Sequence, residues 1–365
     1  MKRVAAPIER IAASAYTIPT DAPESDGTLE WRSTTLVLVE ARAADMTGIG
    51  YSYANRATAV LVADTLTEVV TGRDALDVAG SFDAMVAAIR NLGRPGISSM
   101  AIAAVDNALW DLKARLLDVP LVHLLGAARD AIAVYGSGGF TSYSQERLAD
   151  QLGGWARAGI GMVKMKVGRD PAADVARVRT AREAIGPQAA LFVDANGAYS
   201  RKQALGFADA FAELGVTWFE EPVVSDDLEG LRLIRDRAPG WMDIAAGEYG
   251  YDLVYFRRMC EAGAVDVLQA DATRCAGVTG FMRAAAVAQA FHVPLSSHCA
   301  PSIHAHACCA ASAARHLEWF HDHVRIERML FDGALEPVNG ALAPAADRPG
   351  FGLTFKAADA RAYAV

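Results

Sequence analysis

The sequence lacks the features that mark several large classes of protein. No apolar run reaches the roughly 20 residues of a membrane-spanning helix. Positive charge is not in surplus. The 365 residues carry a formal net charge of −8, which argues against a nucleic-acid partner, because phosphate binding wants a basic face. It leaves room for a local cationic pocket that takes an acidic substrate. The five cysteines, Cys260, Cys275, Cys299, Cys308 and Cys309, are odd in number and match neither a disulfide framework nor a zinc knuckle. Buried thiols in a reducing cytoplasm are expected. The start, MKRVAAPIERIAASA, is basic with small residues at Ala13 and Ala15, but Glu9 and Arg10 interrupt any apolar core of a signal peptide. Gly48, Gly50 and the GSGG stretch at 136–139 do not form a nucleotide-binding fingerprint in their context.

What is present is an ordinary globular balance, 52% hydrophobic and 21% charged, in a chain long enough for one large domain or two linked ones. From about residue 130 short apolar runs recur at 133–139, 162–167, 190–196, 216–222, 243–248, 265–271, 293–298 and 316–320. Helix-like stretches lie between them, such as 171–186, with Val175, Val178, Ala181 and Ile185 on one side. Strand alternating with helix at this spacing implies parallel βαβ units, and eight strands suit a barrel whose chemistry sits at the C-terminal strand ends. Residues 1–128 read as an α+β domain. It has a strand at 36–43, a hairpin near Gly48–Gly50, and a helix over 101–117 with a stripe of Ile102, Val105, Leu109, Leu112 and Leu116. Residues 129–328 hold the barrel. Residues 329–365 are too poor in apolar side chains to fold alone and are expected to return to the first domain.

The polar residues that close the runs carry the chemistry. In MVKMKV, alternation places Lys164 and Lys166 on one face. Two lysines sharing a barrel mouth repel each other, which favours a lowered pKa for one of them, as a base requires. Alone, such a pair reads more readily as surface lysines, since lysine is usually exposed. The next three strands end in Asp194, in Glu220 with Glu221, and in Glu248. Single acids there often cap the following helix. Three on consecutive strands converge on a volume where their repulsion calls for a hard divalent cation such as Mg²⁺. Asp271 and His298 end the next two strands. A carboxylate there can fix the histidine tautomer and raise the basicity of its other nitrogen. The His304-Ala-His306 pair lacks further ligands and is expected to be structural, and His323 a structural residue or pocket wall.

Lys164-Met165-Lys166, Asp194 in VDANGAY, Glu220 in FEEP, Glu248 in AAGE, Asp271 in QADATRCAGVTG, His298 in LSSH and Glu318 in HLEW, taken in order, resemble the mandelate racemase subgroup of the enolase superfamily, as does the ALWDLKAR helix of the first domain. The resemblance spans nearly the whole chain. It implies a modified (β/α)7β barrel of TIM type with an N-terminal α+β capping domain completed by the C-terminal segment. It also implies one Mg²⁺, replaceable by Mn²⁺, on Asp194, Glu220 and Glu248. Lys166 is implied as base on one face of the substrate, and His298, oriented by Asp271, as acid or base on the other. Lys164 would contact the substrate carboxylate and help depress Lys166, while a protonated Glu318 would hydrogen-bond the enediolate. The 17–30 loop with Tyr51 and Tyr53 would close over the pocket, and Asn196 would touch substrate. The partners implied are a small carboxylate and further copies of the chain. Ala276 stands where the family commonly has a second glycine, a difference of loop shape.

Two acid–base groups on opposite faces allow dehydration or racemisation. The polar residues of the 17–30 segment (Thr20, Asp21, Glu24, Ser25, Asp26 and Thr28) favour dehydration of a sugar acid to a 2-keto-3-deoxy acid, with a racemase or epimerase of a 2-hydroxy acid as the alternative.

Overall fold

The computed structural model describes residues 5–365. Met1–Val4, part of the basic start weighed for a signal peptide, lie outside the described residues. The chain opens with an antiparallel sheet of β1 (Arg10–Ser25), β2 (Glu30–Ala43) and β3 (Met46–Tyr53). Helices follow: α1 (Ala57–Leu61), a π turn (Val62–Leu66), α2 (Thr67–Val70), α3 (Val78–Ala88), α4 (Ile97–Leu116) and α5 (Leu121–Leu125). Two expectations for this cap change. The β2–β3 turn lies at Ala44 and Asp45, both with positive φ, as a two-residue hairpin requires. Gly48 and Gly50 lie inside β3, because α4 crosses the strand so closely that a Cβ on Gly50 would sit 2.2 Å from the Ala108 nitrogen. The segment 17–30, expected as a loop, is mostly β1 and β2 paired across an irregularity between Pro19 and Glu24. A tight connection at 26–29 remains, where Asp26 Oδ1 accepts the amides of Thr28 and Leu29 in an Asx-type turn.

Eight parallel strands then alternate with helices: β4 (Ile132–Gly138), α6 (Gln145–Arg157), β5 (Met162–Lys166), α7 (Pro171–Ile185), β6 (Ala190–Asp194), α8 (Arg201–Ala212), β7 (Val216–Glu220), α9 (Leu228–Arg237), β8 (Asp243–Ala246), α10 (Leu253–Glu261), β9 (Val267–Ala270), α11 (Gly277–Ala290), β10 (Leu295–Ser297), α12 (Pro301–Ala310) and β11 (Ala314–Phe320). Pairing of β11 with β4 closes the barrel, and α13 (His321–Leu330) follows. Each expected run coincides with a strand. Tyr135, Phe192 and Trp218 fill the interior, with Phe192 stacked on Trp218 and His316 edge-on to Tyr135 and Trp218. Burying such large side chains contributes about 2–3 kcal/mol each, and their bulk leaves the polar strand ends to cluster at the other end of the barrel.

The tail holds β12 (Phe331–Asp332), β13 (Ala341–Leu342), β14 (Thr354–Phe355) and α14 (Ala357–Ala360). β13 pairs with β4, Gly350 bridges to Pro120, and Ala364 bridges to Tyr16, so the tail ties barrel to cap. Both HxH histidines are structural ties. His306 accepts the Val122 amide and meets the Phe351 carbonyl, and His304 accepts the Ala272 amide. All five cysteines are buried and unpaired. Among the described residues no helix is long and apolar enough to cross a membrane.

Candidate active site

Strand register brings the acids together. Lys166 pairs in register with Asp194, and Asp194 with Glu220. One strand further on, Gly247 adopts φ 140° where a Cβ would lie 2.1 Å from the Gln269 carbonyl oxygen. Only glycine tolerates both, and the bend turns Glu248 into the mouth. Asp194, Glu220 and Glu248 each offer an oxygen within 4.8 Å of the others. Lys164 Nζ, buried inside the barrel, reaches Glu220 at 2.6 Å, Glu318 at 2.8 Å and Asp194 at 3.5 Å. Lys166 Nζ donates to Asp194 at 2.5 Å.

Beyond β9 and β10, His298 Nδ1 lies 2.8 Å from Asp271 Oδ2. The Thr273 amide and hydroxyl, at 2.7 and 2.8 Å, hold the other Asp271 oxygen. Nδ1 is therefore the donor to the carboxylate, and Nε2 faces the acid cluster, 3.4 Å from Glu248 Oε2. Burial opposes the imidazolium, but Glu248 and the Asp271 hydrogen bond together raise His298 above the usual histidine range. Burial also opposes the charge on Asp271, yet His298 holds it well below the carboxylate range.

Two expected electrostatic roles change. Lys166 is not lowered. Burial works against its charge and Lys164 repels it, but Asp194 outweighs both and holds it above the lysine range. Glu318 is not raised. Despite burial, Lys164 keeps it well below the carboxylate range, and it accepts the Cys299 amide at 2.8 Å.

The donor set fits a hard divalent cation. Five carboxylates (Asp194, Glu220, Glu248, Asp271 and Glu318) face three fixed cations, Lys164, Lys166 and Arg274. With every one of these carboxylates ionised and His298 neutral, that is an excess of two negative charges. Burial and Asp194 push Glu220 up to about 8, and burial with Glu248 drives Glu221 well above its usual range. Glu248 Oε2 is buried without a hydrogen-bond partner. Surplus carboxylate charge at this depth is costly, and all-oxygen donors suit Mg²⁺ or a similar ion.

A cavity of about 470 Å³ opens above the cluster, between barrel and cap. Lys166, Glu248, Asp271, His298, Asn196 and Tyr53 reach it. Asn196 Oδ1 is buried and unpartnered. Tyr53 stacks on His323, with centroids 3.4 Å apart, which makes His323 the pocket wall expected of it. Tyr51, expected at the lid, is fully buried and donates to Glu327 at 2.5 Å. It lies one pleat deeper than Tyr53 on the same strand face and is a cap–barrel tie. Arg274, Cys299 and Trp31 are among the pocket residues that escaped the sequence reading. Arg274 pairs with Glu248 at 3.2 Å and lies 3.8 Å from Asp271, and its spacing of three from Asp271 was the available signal. Cys299 places Sγ 3.3 Å from His298 Nε2, and its place next to the histidine was the hint. Trp31 gave none. It donates to Glu24 at 2.9 Å and meets Phe140 edge-on.

A closed parallel barrel with carboxylates on consecutive strand ends, lysines on one side of them and an Asp–His pair on the other, under an α+β cap, defines an enolase-type enzyme. The mandelate racemase/muconate lactonizing enzyme N-terminal domain model matches residues 19–126, and the enolase C-terminal domain-like model matches 147–360. The chain belongs to the mandelate racemase/muconate lactonizing enzyme family. A solved mandelate racemase/muconate lactonizing enzyme-like protein from Rubrobacter xylanophilus is 55% identical, with 98% of this chain and 99% of that one covered and a TM-score of 0.96. The L-talarate/galactarate dehydratase of Salmonella typhimurium is 30% identical over 95% of this chain and 88% of its own. Its structure with Mg and L-lyxarohydroxamate superposes with a TM-score of 0.90 at 28% identity, covering 100% of this chain and 95% of that one. The 3,6-anhydro-alpha-L-galactonate cycloisomerase of Streptomyces coelicolor is 31% identical over 95% of this chain and 96% of its own.

Proposed function

We propose that this protein is a divalent-metal-dependent hydro-lyase that converts a sugar acid to its 2-keto-3-deoxy acid. The observation that carries the reading is the order of groups around the barrel mouth. Lys166 on β5 and His298 after β10 flank the acids of β6, β7 and the Glu248 turn, and both open on one cavity. Asp194, Glu220 and Glu248 would hold Mg²⁺, the ion present with the talarate/galactarate dehydratase. When bound, it supplies Lewis acidity to the substrate carboxylate and takes over the Asp194 charge that otherwise keeps Lys166 protonated.

Lys166 and His298 then divide the proton transfers. One takes the α-proton to give an enediolate, whose added charge Lys164 helps to balance. The other delivers a proton to the departing β-hydroxyl, which leaves as water, and the resulting enol tautomerises to the ketone. Glu318 keeps Lys164 charged and aligned. Asp271 holds His298 in the tautomer that presents Nε2. Five buried, unpaired thiols support a cytoplasmic setting.

Racemisation, epimerisation or cycloisomerisation is the second reading. It is favoured by the same two-sided placement, which can return a proton to the opposite face, and by the likeness to the cycloisomerase. Incubating aldonic, uronic and aldaric acids with protein and Mg²⁺ and assaying 2-keto acid separates the two. The lyase reading expects keto acid with at least one acid, abolished by EDTA. Isomerised substrate without keto acid would transfer the assignment to the second reading.

A further inference from the structure

We infer that the substrate is a monocarboxylate of the aldonate class, and that Asp26 of the cap selects it against the dicarboxylate of equal length. This rests on the dehydratase reading and names the substrate class for the same site.

The inference starts from where positive charge runs out. Among the described residues lining the cavity, the basic ones besides the histidines are Lys166 and Arg274. Both are already engaged, Lys166 by Asp194 at the cation cluster and Arg274 by Glu248 and Asp271. One substrate carboxylate can be met at the cluster. A second, at the far end of the same chain, would point to the cap, whose wall carries Asp26, Ser33, Thr35, Tyr53 and Asn55. Arg32 is not among the residues that line the cavity; its side chain is 80% exposed and lies 3.8 Å from Glu30.

Asp26 itself is nearly buried. Its Oδ1 is committed to the turn, accepting the Thr28 amide at 2.6 Å, the Thr28 hydroxyl at 3.2 Å and the Leu29 amide at 2.7 Å. Oδ2 is left as the acceptor at the wall. An acceptor-only group suits a donating hydroxyl and repels a carboxylate. A neighbouring cavity of about 630 Å³ shares Asn196 and Tyr249 with the first and offers no escape. Glu221, Asp226 and Asp252 line it, without a lysine or arginine among its described lining residues. Apart from the histidines and the engaged Lys166 and Arg274, the lining of both cavities is neutral or acidic.

The test compares aldonates and aldarates of matched configuration and length, in wild type and Asp26→Asn, with Mg²⁺ and a 2-keto acid readout. Asparagine keeps the Oδ1 acceptor and so the turn, and thermal melting checks the fold. The expected result is turnover of an aldonate with kcat/KM at least about 100-fold above its aldarate partner. Asp26→Asn should shrink that ratio about tenfold, through a lower KM for the diacid. An aldarate processed as well as the aldonate overturns the inference and leaves the dehydratase reading standing. No keto acid from any acid overturns both. An unchanged ratio in a folded Asp26→Asn protein overturns the role of Asp26.

Discussion

Asp271→Asn is nearly isosteric, yet the surroundings of Asp271 make it disruptive. Oδ1 of Asp271 accepts both the amide and the hydroxyl of Thr273. An asparagine must keep its oxygen there, so its NH₂ faces His298 Nδ1, which now lies 2.8 Å from Oδ2. Nδ1 would have to accept, the ring proton would move to Nε2, and the nitrogen facing the cavity would cease to be a base. The charge-assisted hydrogen bond is worth about 1.5–3 kcal/mol. With the tautomer reversed as well, the barrier rises by roughly 3–5 kcal/mol, so kcat should fall about 10²–10⁴-fold. KM should move little, because Asp271 holds no part of the carboxylate seat. The assay is steady-state keto-acid formation at saturating Mg²⁺, with thermal melting to confirm folding. A folded variant whose kcat stays within about threefold of wild type would refute the tautomer argument.

Three further outcomes follow from the same geometry. Gly50→Ala puts a Cβ against the α4 backbone and should cost about 3 kcal/mol or more, read as a lower denaturation midpoint; an unchanged midpoint would mean that β3 and α4 are not packed as described. Chelation should abolish activity and lower the melting temperature, both restored by Mg²⁺, since an ion at 100 times its Kd adds about 2.7 kcal/mol to the folded state; full activity after exhaustive chelation contradicts the cation cluster. Burial lowers His306 to about 4, so the unfolded chain takes up the proton first as pH falls. Stability is complete above about 6.5 and is lost toward pH 4, by on the order of 3 kcal/mol, and His306→Gln should flatten this limb of a denaturation-versus-pH curve.

Much of the barrel was legible because each strand is a short apolar run closed by a polar residue, a pattern that burial on both faces and an open mouth impose. All eight runs overlie strands, and register brings Asp194 and Glu220 together, with the Gly247 bend adding Glu248. The cap was less legible. A glycine signals either positive φ or close approach, and Gly48 and Gly50 serve the second while Ala44 and Asp45 make the turn. Ile18 and Pro19 read as loop, but pairing with β2 supplies partners that local propensity does not record. Tyr51 and Tyr53 are equivalent by alternation, and only the docking of cap on barrel separates the buried tie from the pocket wall. Charge states were the least legible. Lys166 was assigned from its neighbour Lys164 and Glu318 from the family resemblance, whereas Asp194 and Lys164, brought up by other strands, decide them.

The central claim is α-proton abstraction beside a metal-held carboxylate, with Lys166 and His298 as its two acid–base groups. Proton NMR of a sugar-acid panel in D₂O with Mg²⁺ tests it most directly. The prediction is that wild type removes the α-proton of at least one acid, with deuterium appearing in substrate or keto-acid product, and that Lys166→Ala combined with His298→Asn leaves every α-proton in place. Exchange that persists in the folded double variant, or no loss of any α-proton with folded, Mg²⁺-loaded wild type, would contradict it.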